Sequence, residues 1–214
     1  MTDITVNQIK YLSWANFFKL QIKEEIMNKY KIIALYGESG AGKDTIQNWL
    51  VDLFPEETNK IISCTTRPPR EHEENGKDYY FIDPAFFAQK ILDGSMLEAV
   101  IFNEWGYGTP IDSLEPDKIN IGVFNPTGIE ALLEDPRLEV EIIYVQTTPK
   151  ERLLRALNRE DLPDCHEICR RFLADERDFD DIDFVPDRVW HNNFMPIASP
   201  TLIETLNSNC TYFN

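Results

Sequence analysis

The sequence predicts an α/β protein built on a parallel β-sheet. Short apolar runs that read as buried strands recur along the chain: KYKIIALYG at 29–37, KINIGVF at 118–124 and VEIIYVQT at 140–147. A stretch with helical character follows each of them, and strands alternating with helices are the pattern of a sheet covered by helices. The first run ends in a glycine-rich turn, GESGAGKDT, where a strand passes directly into a helix.

The elements follow in order. Residues 6–28 place Ile9, Leu12, Phe17, Leu20 and Ile26 at roughly helical spacing, which predicts an N-terminal helix. Residues 30–36 form the first strand, and a helix runs from Lys43 to about Leu53, stopped before Pro55. NKIISCTT at 59–66 reads as one further short strand. Between 64 and 109 the rhythm changes to short β pieces with charged turns, the profile of an inserted lobe. DRVWH at 187–191 reads as a last strand and 197–207 as a final helix. No repeat or low-complexity tract interrupts the chain.

A chain of 214 residues with 43% hydrophobic content can bury one sizeable core, and 12% aromatic residues argue against disorder. The net charge of −16 repels nucleic acid and anionic membranes. Any anionic ligand must therefore be held by a local group of Arg and Lys. Cys64, Cys165, Cys169 and Cys210 show no disulfide framework, which fits a reduced setting. With no apolar run of about 18 residues and no secretory leader pattern, a soluble cytoplasmic protein is expected. It would be a monomer or homodimer with small-molecule ligands.

The turn matches the phosphate-binding pattern G-x-x-x-x-G-K at Gly37, Glu38, Ser39, Gly40, Ala41, Gly42 and Lys43. Such a loop aims backbone N–H groups at one point, and Lys43 and the helix N-terminus add positive charge there. This predicts ATP binding on a three-layer P-loop core. The next position, usually a hydroxyl ligand of Mg²⁺, is Asp44, followed by Thr45. A carboxylate also suits a hard cation, so Asp44 and Thr45 are both metal-contact candidates.

Downstream lies SCTTRPPREHEENGKDYYF, 63–81. Arg67 and Arg70 flank two prolines, and paired arginines suit a phosphate dianion. A solvated basic turn is the plainer reading of that piece alone. The residues S-x-T-T-R-x-P-R, then N-G-K-D-Y-x-F, then MLEAVIFNEWGYGTP at 96–110, resemble the GMP-binding lobe of guanylate kinases. With the P-loop and a basic region at 151–171, the resemblance covers roughly residues 30–210.

The resemblance implies that Arg67, Arg70, Tyr79 and Tyr107 grip an acceptor 5′-phosphate, while Ser63, Glu98 and Thr109 face its base. It implies that Lys43 and the lid arginines Arg155, Arg159 and Arg171 act on the transferring phosphoryl group, and that Asn192 and Asn193 sit near adenine. It divides the chain into an N-terminal extension (1–29), a core (30–63, 111–155, 173–210), a monophosphate-binding lobe (64–110) and a helical lid (156–172). The reaction implied is phosphoryl transfer from Mg-ATP to GMP or dGMP. The family's Asp-x-Asp pair is replaced here by Val123 and Asn125. Asn125 can accept from a guanine amino group but can also donate. The same scaffold could therefore serve another or modified deoxynucleotide or a ribose bisphosphate, or act as a silent binding module. CHEIC at 165–169 has the wrong spacing for a zinc site.

Overall fold

The structure is a computed structural model that describes residues 29–70, 73–102, 104–159, 162–180 and 182–192. The expected helices at 6–28 and 197–207 lie outside the described residues. Two sheets organise the rest. The larger has five parallel strands: β1 (Tyr30–Tyr36), β2 (Thr58–Lys60), β7 (Ile119–Val123), β8 (Leu138–Gln146) and β9 (Arg188–His191), in the order β2-β7-β1-β8-β9. The smaller contains β3 (Cys64–Thr65), β4 (Tyr80–Phe81), β5 (Met96–Phe102) and β6 (Trp105–Pro110), in the order β4-β3-β6-β5. Its pairings are mixed, with β3 parallel to β4 and antiparallel to β6.

Alternation along β1 explains the layering. Ile33 and Leu35 pack on one side with Ile46 and Leu50 of helix α1 (Lys43–Leu53). Ile32, Ala34 and Tyr36 pack on the other with Ile129 and Leu132 of helix α3 (Pro126–Glu134). A strand covered on both faces has no polar side, so it appears in sequence as an unbroken apolar run. NKIISCTT differs from its expected single strand. Residues 58–60 pair with β7 in the large sheet, whereas 64–65 pair with β4 and β6 in the small one. Residues 61–63 carry the chain from one sheet to the other.

Three helices begin in the same way. Asp83 caps α2 (Pro84–Leu92), Asn125 caps α3 and Thr148 caps α4 (Pro149–Leu157), each followed by proline at the first helical position. The cap oxygen satisfies an otherwise orphaned N–H, and proline has no N–H to leave unpaired. Asp164 likewise caps α5 (Cys165–Asp178). No helix among the described residues is long and apolar enough to cross a membrane.

One buried polar residue ties the sheet to its loops. Asn120 on β7 is fully buried; its amide donates to the carbonyls of Lys31, Glu115 and Lys118, and its oxygen accepts from Asn59 and the Glu115 N–H. Replacing it strands several buried partners at once. Asn120→Ala is expected to lower stability by about 2–4 kcal/mol in urea unfolding.

Candidate functional site

The phosphate loop lies between β1 and α1, and its shape is set from outside. The Ala41 carbonyl accepts from Asn192 Nδ2 (2.7 Å), Arg155 Nη1 (3.1 Å) and the Thr147 hydroxyl (3.1 Å). The peptide unit carrying that carbonyl bears the Gly42 N–H on its opposite side, so three donors pulling outward aim the N–H inward. Gly40 and Gly42 take left-handed backbone at φ 80° and 94°. A Cβ at Gly42 would stand 2.5 Å from Asn192 Nδ2, so glycine is required by space as well as by conformation.

Lys43 is folded back on the loop, its Nζ donating to the carbonyls of Gly37 (2.7 Å) and Glu38 (3.2 Å). Burial lowers its pKa, against the pull of Asp44, Asp175 and Glu38. Asp44 and Thr45 are exposed on the first turn of α1, where side-chain oxygens remain open to a cation. Glu38 turns its carboxylate away, accepting from the Tyr144 hydroxyl at 3.0 Å.

Of the expected lid arginines, two face the cleft and one does not. Arg159 and Arg171 line one open cleft together with Ser39, Gly40 and Arg70. Arg155 instead supports the loop, bonding the carbonyls of Gly40, Ala41 and Asn192. Helical spacing puts Arg155 and Arg159 on nearby parts of α4 and its extension, but the loop packed against α4 claims the nearer one. Asn192 is likewise brought to the phosphate loop. It is buried, and its amide is committed to Ala41. Asn193 lies outside the described residues.

In the smaller sheet, Arg67 forms a forked ion pair with Glu73, Nη1 and Nη2 donating at 2.9 and 2.8 Å. Its guanidinium carbon stands 5.7 Å from the centre of the Tyr79 ring, and Tyr79 and Tyr107 meet edge to face at 6.1 Å. Arg67 Nε is buried without a hydrogen-bond partner. With its end held by Glu73, the guanidinium keeps an unsatisfied buried donor on its side edge. A phosphate oxygen would satisfy it. Burial, then Arg171 and Arg67, lower the pKa of Arg70; cations crowded in this way favour an anion between them. Burial pushes the Tyr79 phenol up to about 12, so it keeps its proton as a donor.

Deeper in this lobe the side chains form a relay. Thr109 donates to Glu98 Oε1 at 2.7 Å, and Ser63 Oγ lies 3.0 Å from Thr109 Oγ1. Thr109 has one hydroxyl hydrogen and gives it to Glu98, so Ser63 must donate to Thr109. Both hydrogens run towards the carboxylate. Burial raises the Glu98 pKa to about 7 against the bonds from Thr109. Glu98 Oε2 and Asn125 Oδ1 lie 3.5 and 3.0 Å from the point a Gly128 Cβ would occupy, so both side chains reach Gly128 at the start of α3. Asn125 Oδ1 already accepts from the Gly128 N–H at 2.7 Å. Val123 is half-buried against the core.

Three residues of the site are not legible in sequence. Glu73 stands three positions after Arg70 among other acids. Arg152 is buried beneath the loop, and Asp175 of α5 reaches across to it. Asp175 accepts from the Ser39 N–H (2.8 Å), the Ser39 hydroxyl (3.0 Å) and Arg152 Nη1 (3.2 Å). Cys165 and Cys169 are exposed, and no group of three metal-ligating side chains occurs among the described residues.

The parallel sheet, the glycine loop entering α1 and the helices on both faces define a P-loop NTPase fold. Comparison with known proteins narrows the class. The family model described as guanylate kinase matches residues 29–194, more than half of the chain. The chain belongs to the guanylate kinase family. It is 44% identical over 91 residues to the guanylate kinase of Malacoplasma penetrans, covering 42% of this chain and 46% of that one. Identity to the guanylate kinase of Leifsonia xyli is 29% over 178 residues, covering 76% and 68%. For Chlamydia felis it is 35% over 134 residues, covering 59% and 63%. The chain thus spans between about half and two thirds of these relatives. The crystal structure of guanylate kinase from Anaplasma phagocytophilum shares the fold with a TM-score of 0.56 at 21% identity, covering 87% of this chain and 85% of that one.

The contact between Asp175 and Ser39 joins α5 to the loop. Asp175→Ala removes the closer of the two ion pairs of the buried Arg152, leaving the Glu38 contact at 3.8 Å and a long bond to the Ser39 carbonyl at 3.4 Å. It is expected to cost about 1–3 kcal/mol and to speed amide hydrogen exchange across 165–178. Unchanged exchange there would show that the contact does not hold α5.

Proposed function

We propose that the chain transfers the γ-phosphoryl group of Mg-ATP to the 5′-phosphate of a guanine nucleoside monophosphate, GMP or dGMP. The observation that carries this is one cleft lined by Ser39 and Gly40 of the P-loop, Arg70 of the loop between β3 and β4, and Arg159 and Arg171. A donor phosphate on the loop and an acceptor phosphate on Arg67, Arg70 and Tyr79 would meet there.

An oxygen of the acceptor phosphate attacks the γ-phosphorus in line as the bond to the bridging oxygen of ADP breaks. The attacking oxygen is already anionic, so no general base is required. Positioning and charge neutralisation supply the catalysis. Lys43 neutralises the β- and γ-oxygens from the loop side, and Arg159 and Arg171 do so from the lid side and exclude water. Arg155 serves by holding the loop. Asp44 and Thr45 offer hard oxygen donors on the open turn of α1 and fit Mg²⁺, which when bound neutralises phosphate charge. The monophosphate-binding lobe, by this reading, is the smaller sheet with its turns, and the lid includes α5. The reaction needs only small nucleotides as partners.

The base end favours guanine. With Glu98 ionised and both relay hydrogens turned inward, the pocket offers Glu98 Oε2 and Ser63 Oγ as acceptors. Guanine supplies N1–H and N2–H₂ as donors, whereas adenine N1 would face an unpaired acceptor.

An ADP-release assay across a panel of monophosphates should show GMP or dGMP as the best acceptor, with Lys43→Ala at background. Arg67→Lys should raise the acceptor KM about ten- to a hundredfold and leave ATP binding unchanged. ATP binding without transfer to any monophosphate would instead support a binding module. Separately, Asp44→Ser is expected to shift the Mg²⁺ dependence of the rate to higher concentration. A variant with full activity at the same Mg²⁺ level would remove Asp44 from the metal contacts.

A further inference from the structure

We propose that the acceptor pocket admits a second substrate class, the 6-aminopurine nucleoside monophosphates AMP and dAMP, when Glu98 carries a proton; this rests on the phosphotransfer reading above. The chemistry of the step is unchanged. An acceptor phosphate oxygen bonds to the γ-phosphorus, the bond to the β–γ bridging oxygen breaks, and ATP leaves as ADP. Only the reading of the base differs.

The geometry makes one proton decisive. In the ionised pocket Thr109 donates to Glu98 Oε1 and Ser63 donates to Thr109, so neither hydroxyl hydrogen faces the base. A proton on Glu98 adds one donor to this array. Either it stays on Oε2, or Glu98 donates to Thr109, the relay reverses and Ser63 turns its hydrogen outward. Adenine N1 is an acceptor and needs that one donor, while its amino group needs an acceptor. Asn125 Oδ1, with a second lone pair beyond its bond to Gly128, shares the Gly128 end of α3 with Glu98 Oε2 and can take that role. Because Asn125 and Val123 are both uncharged, no second carboxylate confronts a base without guanine's donors.

The surroundings leave the proton free to come and go. Thr109 of β6, Ser63 before β3, and Asn125 and Gly128 at the start of α3 are the groups at the carboxyl, and none is charged. Cys64 on β3 donates to the Gly108 carbonyl, and its thiol, raised to about 11 chiefly by burial, stays neutral. Further out, Lys90 of α2 pairs with Asp112 at 3.6 Å. Burial therefore dominates and holds Glu98 near pH 7, where either form can be selected.

The test is the ratio of kcat/KM for dGMP to that for dAMP, with ATP and Mg²⁺ saturating, measured at pH 6 and pH 8. The diphosphate products dGDP and dADP separate chromatographically from ADP. The two acceptors carry the same phosphate, so its own titration cancels in the ratio. Because kcat/KM follows the free enzyme, the ratio should rise about a hundredfold from pH 6 to pH 8, about tenfold from each acceptor. Glu98→Gln presents a fixed donor and a fixed acceptor, so its ratio should be independent of pH and shifted towards dAMP. A wild-type ratio that does not change with pH overturns the proposal, and the wild-type measurement alone decides this if the variant fails to fold. So does a pH-dependent ratio that survives Glu98→Gln. Transfer to dGMP with none to dAMP at either pH sinks the proposal and leaves guanine phosphorylation standing. No transfer to either acceptor removes the phosphotransfer reading itself.

Discussion

The active geometry depends on one carbonyl group. Ala41 O is held by Asn192 from the end of β9, Thr147 from the end of β8 and Arg155 from α4. A glycine-rich loop has many conformations available, and glycine loses the most entropy on becoming fixed. Three donors converging on a single acceptor select one of them. The sheet, α4 and the loop are thereby joined at the point where phosphate must be received. Arg155 and Asn192 shape the loop from outside it.

The acidity of the chain sharpens the same logic. With 37 acidic against 21 basic residues, long-range charge disfavours a nucleotide, so recognition must be local. Arg70, Arg159 and Arg171 line one cleft, and Arg67 is steadied beside it by Glu73. Glu73 has a second role, because its N–H contact from Arg70 ties the two arginines into one turn. The cost of gathering cations is visible in Arg70, whose pKa is lowered by partial desolvation and by the charges of Arg171 and Arg67. An anionic ligand offsets that cost, which links binding to relief of repulsion.

The core strands, the loop and α1 were legible in sequence because two-sided burial leaves continuous apolar runs and the loop has a fixed spacing. Family resemblance placed the arginine segment and Glu98 in the acceptor region. What sequence could not show is which neighbour claims a side chain. Arg155 and Arg159 share a spacing but not a role, since only packing decides that one meets carbonyls and the other the cleft. Asp175 stands 136 positions from Ser39, and nothing in either local sequence points to the other. The division of NKIISCTT between two sheets is likewise a consequence of long-range pairing, invisible to a local pattern. The relay direction at Ser63 and Thr109 depends on how close both hydroxyls stand to each other and to Glu98, which no local pattern encodes.

The cap of α3 has an evolutionary consequence. Asparagine and aspartate are about equal as helix N-caps, so exchange between them at position 125 leaves the start of α3 intact. The same exchange moves a full negative charge to the side of Glu98. Stability and base choice are thus uncoupled at this position. Most residues that define a buried pocket cannot change without damaging the fold, and their drift is slow. Position 125 is free of that restraint, so related sequences can diverge in substrate range there while their folding stability stays level.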